Sequence, residues 1–236
     1  MPALKDPALK EIAVLIPGRL HDQAVSRIEA VFDTIRIERA DPRLLSEDQR
    51  ARIRGVATMA AIDAGAAIDA TFIDALPALE IIANFGVGYD AVDARHSGEK
   101  GVMVTNTPDV LTEEVADTAI GLLLNTVREL PRAESWLREG KWRSVGPYPF
   151  TRGTLRGRRV GIFGLGRIGL AIARRLEAFG LPVAYHNRRP VEGVGYAYYP
   201  TLPELARNVD TLISVAPGGA ATEKEVDADI LAALGP

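Results

Sequence analysis

The sequence predicts an α/β protein built on two doubly wound parallel sheets. Three observations carry that expectation. Short apolar runs alternate with stretches of helical periodicity from Ile12 to Leu234, the pattern of parallel strands joined by crossover helices. The alternation occurs twice, once on each side of residue 105, so two units are expected. One apolar run, Val160-Gly161-Ile162-Phe163, leads straight into Gly164-Leu165-Gly166-Arg167-Ile168-Gly169 and then a helical pattern. Strand, Gly-x-Gly-x-x-Gly turn and helix are the parts of a dinucleotide site.

Composition narrows the function classes. At 236 residues, 47% hydrophobic and 25% charged, the chain is long enough to bury a core in one large domain or two smaller ones. A net charge of −3 supplies no basic field to recruit nucleic acid or anionic membrane. The absence of cysteine excludes disulfides, thiolate nucleophiles and cysteine metal sites, and no metal site of any kind is expected. The longest apolar run, Ile120 to Leu124, is too short to span a bilayer. Met1 to Lys10 is polar and broken by proline, without a signal-peptide core. A cytoplasmic protein is expected.

In the first half, Ile12 to Ile16 reads as a buried strand closed by Pro17-Gly18. A helix over Asp22–Phe32, a strand over Thr34–Ile37, a helix over Ser46–Ile53 and a strand over Val56–Ile62 follow. Thr71–Leu76 reads as a short helix stopped by Pro77, Leu79–Ala83 as a fourth strand and Val102–Val104 as a fifth. Asn84-Phe85-Gly86-Val87-Gly88-Tyr89-Asp90 comes directly after the fourth strand, and open α/β sheets bind ligands beyond the carboxyl ends of their strands. The residues alone allow two readings. The glycines can aim successive backbone N–H groups into a nest for a carboxylate. Or this is a plain connecting loop in which Asp90 caps a helix over Ala91–His96.

In the second half, Thr112 is the expected N-cap of a long helix, with Glu113 and Glu114 in its first turn. Arg132–Arg138 continues as helix to Gly140. The stretch from Lys141 to Gly153 reads as an irregular loop, and its Trp142, Tyr148 and Phe150 predict packing against another domain or subunit. Arg156, Arg158 and Arg159 read as a solvated basic edge. In the glycine motif, Gly164 permits the tight turn, Gly166 lets a pyrophosphate approach the backbone, and Gly169 lets helix and strand pack closely. The helix start then offers free N–H groups and a partial positive charge.

The next strand, Pro182–Tyr185, ends in His186-Asn187-Arg188-Arg189-Pro190. This is the place that reads the ribose 2′ position, about 20 residues past the glycines. An acidic residue there would accept from a 2′-hydroxyl and repel a 2′-phosphate. Neutral Asn187 and two arginines favour the phosphate, so NADP(H) is expected over NAD(H). A strand over Tyr196–Tyr199, a helix over Leu202–Asn208, a strand over Asp210–Val215 and a final helix within Ala221–Leu234 complete the pattern. The turn Ala216–Gly219 lies at a strand's carboxyl end and is expected to line the cofactor cleft. The three histidines read as structural or solvated: His21 at a helix start, His96 on a surface helix, His186 at the adenosine end.

Taken together, Asn84–Asp93, Val104–Asp117, Leu155–Gly169 and Tyr185–Arg188 resemble the D-isomer-specific 2-hydroxyacid dehydrogenases, particularly the glyoxylate/hydroxypyruvate reductase branch, over nearly the whole chain. The resemblance implies a flavodoxin-like substrate domain over residues 1–100, a Rossmann NAD(P)-binding domain over residues 101–236, and a homodimer formed through the latter. It implies that Val87 and Gly88 present N–H groups to the substrate carboxylate and that Thr112 approaches the nicotinamide end. It implies that Arg167 and Ile168 touch the pyrophosphate, that Asn187, Arg188 and Arg189 meet the adenosine ribose phosphate, and that Val215, Ala216 and Pro217 pass beside the adenosine, with Gly164, Gly166 and Gly169 completing the cofactor site.

The implied activity is NADPH-dependent reduction of a small 2-oxoacid, glyoxylate or hydroxypyruvate, to the D-2-hydroxyacid by hydride transfer. In that family an arginine, a glutamate and a histidine do the chemistry, and all three are expected beyond Pro236. The sheet points the same way, because a six-stranded nucleotide fold needs two strands after Asp210–Val215. The chain is therefore expected to be the front part of a longer enzyme. Two alternatives stand beside this reading: a non-catalytic NAD(P)-binding regulatory protein of the same fold, and a formate or phosphite dehydrogenase.

Overall fold

The computed structural model of the chain describes residues 7–59, 67–151, 153–219 and 221–235. They fall into two compact units that divide between Val110 and Leu111.

The first unit alternates as the apolar runs require: β1 (Ala13–Pro17), α1 (Asp22–Val31), β2 (Asp33–Ile37), α2 (Glu47–Arg52), β3 (Ile53–Thr58), α3 (Ala70–Asp74), β4 (Ile81–Asn84), α4 (Ala94–Glu99) and β5 (Met103–Thr105). Its five strands lie in the order β2-β1-β3-β4-β5, all parallel. That is the doubly wound, flavodoxin-like arrangement. β1 is buried along its whole length, as a central parallel strand covered on both faces must be. Leu15, Ile53, Phe72 and Ile82 form one apolar layer, and Val14, Ile16 and Val25 form another.

The helices start where side chains supply the missing acceptors. Ser46 and Gln49 exchange hydrogen bonds in a capping box at α2, and the Asp69 side chain accepts from the N–H of Phe72 at α3. Expected limits shift in three places. Helix α4 begins at Ala94 and is capped by Asp93, which accepts from His96 N–H at 2.9 Å. Asp90 is not its cap, because Val92 is held in a bridge to Ile68 and the helix cannot start before that bridge ends. The third strand occupies Ile53–Thr58, and residues 60–62 of the expected span lie outside the described residues. β5 pairs with β4, so residues 101–110 belong to the first unit and the expected division after residue 100 moves to Val110.

The second unit opens with three helices, α5 (Thr112–Arg128), α6 (Leu130–Arg138) and α7 (Lys141–Ser144). The last of these lies inside the stretch expected to be irregular. Thr112 is the first residue of α5 rather than its cap; Leu111 holds the cap position and no side chain caps it. The unit continues with β6 (Val160–Phe163), α8 (Arg167–Ala178), β7 (Val183–His186), β8 (Ala197–Tyr199), α9 (Leu202–Arg207), β9 (Thr211–Ser214) and α10 (Ala228–Leu234). The described strands form one parallel sheet in the order β8-β7-β6-β9. With β6 as strand 1, this is the 3-2-1-4 part of a Rossmann sheet.

The apolar face of α8, with Ala171, Ile172 and Leu176, packs with α5 residues Ala116, Ile120 and Leu123 and with Ile162, Leu165 and Tyr185. Each such side chain, when fully buried, contributes about 1.5–3 kcal/mol. Arg175 of α8 fastens the layer from its rim, donating to Asp117 at 2.7 Å and Glu113 at 2.8 Å on α5. Arg159 is exposed, as expected of a solvated edge, and Arg158 is half-buried, but both are engaged. Arg159 donates through its backbone N–H and its guanidinium to the Asp210 carboxylate, and Arg158 donates to the Asp210 carbonyl and the Thr211 hydroxyl. They tie the start of β6 to the start of β9.

Candidate functional site

In the second unit the carboxyl ends of β6, β7 and β9 meet around the glycine turn. Gly164 has φ +101°, and a Cβ there would stand 2.6 Å from the backbone nitrogen of Ala216. Only glycine accommodates both that dihedral and that approach. Gly169, in the first turn of α8, faces the same turn: a Cβ on it would stand 2.4 Å from the Gly164 carbonyl oxygen. Gly166 differs. It occupies the N-cap position of α8, and a Cβ there would meet nothing within 4 Å. The open side of the turn is therefore at Gly166, where a ligand can reach the backbone.

The first-turn amides of a helix have no intrahelical acceptor, and among the described residues no group accepts from Ile168 or Gly169 N–H. Arg167 is exposed beside them. A bare backbone cradle, two unspent N–H donors and a positive helix end fit a pyrophosphate.

Asn187, at the end of β7, turns back onto this loop. Its Oδ1 accepts from Leu165 N–H at 2.7 Å, and its Nδ2 donates to the Leu165 carbonyl at 3.4 Å. Arg188 and Arg189 follow, both exposed. Among the described residues neither has an ion-pair partner, whereas Arg158, Arg159 and Arg175 are all engaged. The turn after β9 joins the group through Val215, whose N–H donates to Phe163 O at 2.9 Å, and through Ala216 against Gly164.

The residues at Gly164, Gly166, Arg167, Ile168, Gly169, Asn187, Arg188, Arg189, Val215, Ala216 and Pro217 thus share one sheet edge. Thr112 opens α5, whose next residue Glu113 accepts from Arg175 of α8 at 2.8 Å. His186 is structural: its Nδ1 lies 2.9 Å from Tyr199 O, and its ring stacks on Phe163.

The first unit holds the other candidate loop. Val87 and Gly88 follow β4, and among the described residues no acceptor takes their N–H groups. Their carbonyls are held instead. Asn84 Nδ2 donates to Gly88 O at 2.7 Å, and Asn106 Nδ2 donates to Val87 O at 2.8 Å. With both carbonyls tethered, the amides are left available to an anion. In this loop neither Gly86 nor Gly88 has a positive φ. Side-chain amides shape it, and the spacing of Asn84 and Asn106 carries no local signal of that role. Of the remaining histidines, His21 occupies the N-cap position of α1. His96 is not solvated: its Nε2 lies 2.9 Å from the Asp74 carboxylate, which also pairs with Lys100 at 2.7 Å.

A parallel sheet with a glycine turn, an open helix start and a cationic loop at the next strand end defines a dinucleotide-binding α/β protein. Residues 120–236 match the family described as D-isomer specific 2-hydroxyacid dehydrogenase, NAD binding domain. The chain is 41% identical over 228 residues to glyoxylate/hydroxypyruvate reductase A of Arabidopsis thaliana, covering 96% of this chain and 71% of that protein. It is 46% identical over 174 residues to hydroxyphenylpyruvate reductase of Plectranthus scutellarioides, covering 74% and 55% respectively. In structure it is similar to the NADPH-dependent glyoxylate/hydroxypyruvate reductase of Sinorhizobium meliloti crystallised with NADP and malonate, with TM-score 0.89, 55% identity and coverage of 96% of this chain and 69% of that one. The chain belongs to the D-isomer-specific 2-hydroxyacid dehydrogenases, a family of oxidoreductases. It spans between about half and seven tenths of the length of these relatives. No helix among the described residues is long and apolar enough to cross a membrane.

Proposed function

We propose that this chain supplies the nucleotide-binding unit and part of the substrate unit of an NADPH-dependent reductase of small 2-oxoacids, with glyoxylate and hydroxypyruvate as substrates. The observation that carries the cofactor choice is at the end of β7. No carboxylate stands there, Asn187 is spent on Leu165, and Arg188 and Arg189 are exposed without partners among the described residues. Two guanidinium groups suit a 2′-phosphate dianion. The likeness to an NADPH-dependent reductase solved with NADP supports the same choice.

In this reading the N–H groups of Ile168 and Gly169 hold the pyrophosphate, Val215, Ala216 and Pro217 run beside the adenosine, and Thr112 serves the nicotinamide end. When bound, NADPH supplies the hydride that reduces the carbonyl carbon. Val87 and Gly88 hold the substrate carboxylate through their free amides, which orients the oxoacid without a side-chain charge. The arginine, glutamate and histidine of the family's chemistry belong to the part of the protein outside this span. The exposed side chains of Leu130, Leu137, Trp142, Val145 and Phe150 on and after α6 and α7 favour a homodimer joined through this unit. The lack of cysteine suits a reducing cytoplasm.

The test is cofactor affinity and turnover of the full-length protein. Tighter binding of NADPH than NADH, with oxidation of NADPH by glyoxylate or hydroxypyruvate, is expected. Equal or tighter binding of NADH overturns the cofactor assignment. Turnover with formate or phosphite but not with the oxoacids overturns the substrate, and an absence of all turnover favours a regulatory role.

A further inference from the structure

The loop that carries Arg188 and Arg189 is pinned at both ends by two tyrosine hydroxyls. Tyr185 on β7 and Tyr198 on β8 are partners in register, with ring centroids 5.4 Å apart. Tyr185 is fully buried, and its hydroxyl accepts from Val191 N–H at 2.9 Å. The Tyr198 hydroxyl donates to Asn187 O at 3.3 Å. One contact closes the loop after Pro190, and the other holds it before Arg188. The Asn187 amide fastens the same end to Leu165 in the glycine turn. Between these anchors lie only Arg188, Arg189 and Pro190, and proline further restricts the backbone. A buried tyrosine need only pack; these two also spend their hydroxyls on the backbone of one five-residue loop.

Resting on the NADPH reading above, we infer that Tyr185 and Tyr198 are positioning residues for cofactor selection. They preorganise the loop so that Arg188 and Arg189 face the 2′-phosphate without a large ordering cost on binding. Their hydroxyls are spent on Val191 N–H and Asn187 O, so in this assignment they act through the two arginines. Their effect is therefore confined to ligands that carry a 2′-phosphate.

The experiment measures Kd values by calorimetry on the full-length protein for four ligands: NADPH, NADH, 2′,5′-ADP and 5′-AMP. The variants are Tyr185→Phe, Tyr198→Phe and the pair, each in the native background and in an Arg188→Ala/Arg189→Ala background. Each single change removes one neutral hydrogen bond, so about a five-fold loss of affinity for NADPH and 2′,5′-ADP is expected, and about ten-fold or more for the pair. NADH and 5′-AMP should move less than about two-fold, which also certifies that the variants are folded. In the background lacking both arginines the tyrosine changes should be silent, as expected of residues that act only through them.

Equal losses for phosphorylated and unphosphorylated ligands would show a general structural role and overturn the inference, as would no loss at all. Failure of the underlying NADPH reading is separately visible, because the unmodified protein would then fail to prefer 2′,5′-ADP over 5′-AMP. In that case the inference falls with it.

Discussion

Gly169 lies directly against the carbonyl of Gly164, so that a Cβ on the helix residue would stand 2.4 Å from the oxygen of the turn residue. This contact sets how closely α8 approaches the end of β6, and through it where the first-turn amides point. Gly166, midway between them, borders open space. The same motif therefore contains one glycine required by packing and one whose bareness faces outward.

Gly169→Ala should damage both fold and binding. The added methyl gains about 1 kcal/mol of helix propensity but must displace backbone, and overpacking of this kind costs about 1–3 kcal/mol. A net loss of stability with at least about ten-fold weaker dinucleotide binding is expected. Gly166→Ala should lower stability only by the penalty of alanine at an N-cap, about 0.5–1 kcal/mol, and still weaken binding, because its methyl would occupy the pyrophosphate's approach. Denaturant titration together with dinucleotide Kd separates the two. Unchanged binding in Gly166→Ala would show that the ligand does not pass over that residue.

Asn84→Ala should loosen the substrate loop. The side chain is buried, and its Nδ2 bond to Gly88 O leaves an orphaned carbonyl when removed, a loss of about 1–3 kcal/mol. With Gly88 no longer held, the Val87 and Gly88 amides lose their fixed direction. In the full-length enzyme KM for the oxoacid should rise more than kcat falls, and NADPH affinity should stay as it was. A KM equal to that of the unmodified enzyme would remove Val87 and Gly88 from the substrate site.

Acid should weaken the first unit through Asp41. The Arg43 side chain, then the Arg43 backbone N–H, and then Arg39 hold its carboxyl far below the ordinary value of 3.8. Asp74 is shifted the same way by Lys100 and His96, and Glu80 by Arg54. A depressed carboxylate pKa contributes stability that is present above the unfolded pKa and lost as pH falls toward the folded one. Urea midpoints of the unmodified protein should therefore exceed those of Asp41→Asn at neutral pH. The gap should begin to narrow below about pH 4. A gap that stays constant from pH 7 to pH 3 would mean that Asp41 acts by packing rather than by charge.

Much of this was legible in residue order. Val160 to Gly169 announces strand, turn and helix, and Arg188 and Arg189 announce an exposed cationic loop after β7, because glycine spacing and charge are local signals. Helix caps were less legible. Asp90 and Thr112 are good capping residues by type, yet Asp93 caps α4 and no side chain caps α5, since the bridge from Val92 to Ile68 decides where α4 can begin. The holders of the loops left no pattern at all. Asn106 reaches back to Val87, and Asn187 to Leu165, across 19 and 22 residues.

The sequence by itself determined the two-sheet plan, the glycine turn and the charge at the end of β7, since periodicity, glycine's missing side chain and a permanent guanidinium charge act where they stand. Only the tertiary structure decided which amides find no acceptor among the described residues, at Val87, Gly88, Ile168 and Gly169, and which side chains pin the arginine loop. Those outcomes depend on partners that meet when distant strands align, and hydrogen bonds form on distance and direction, not on separation along the chain.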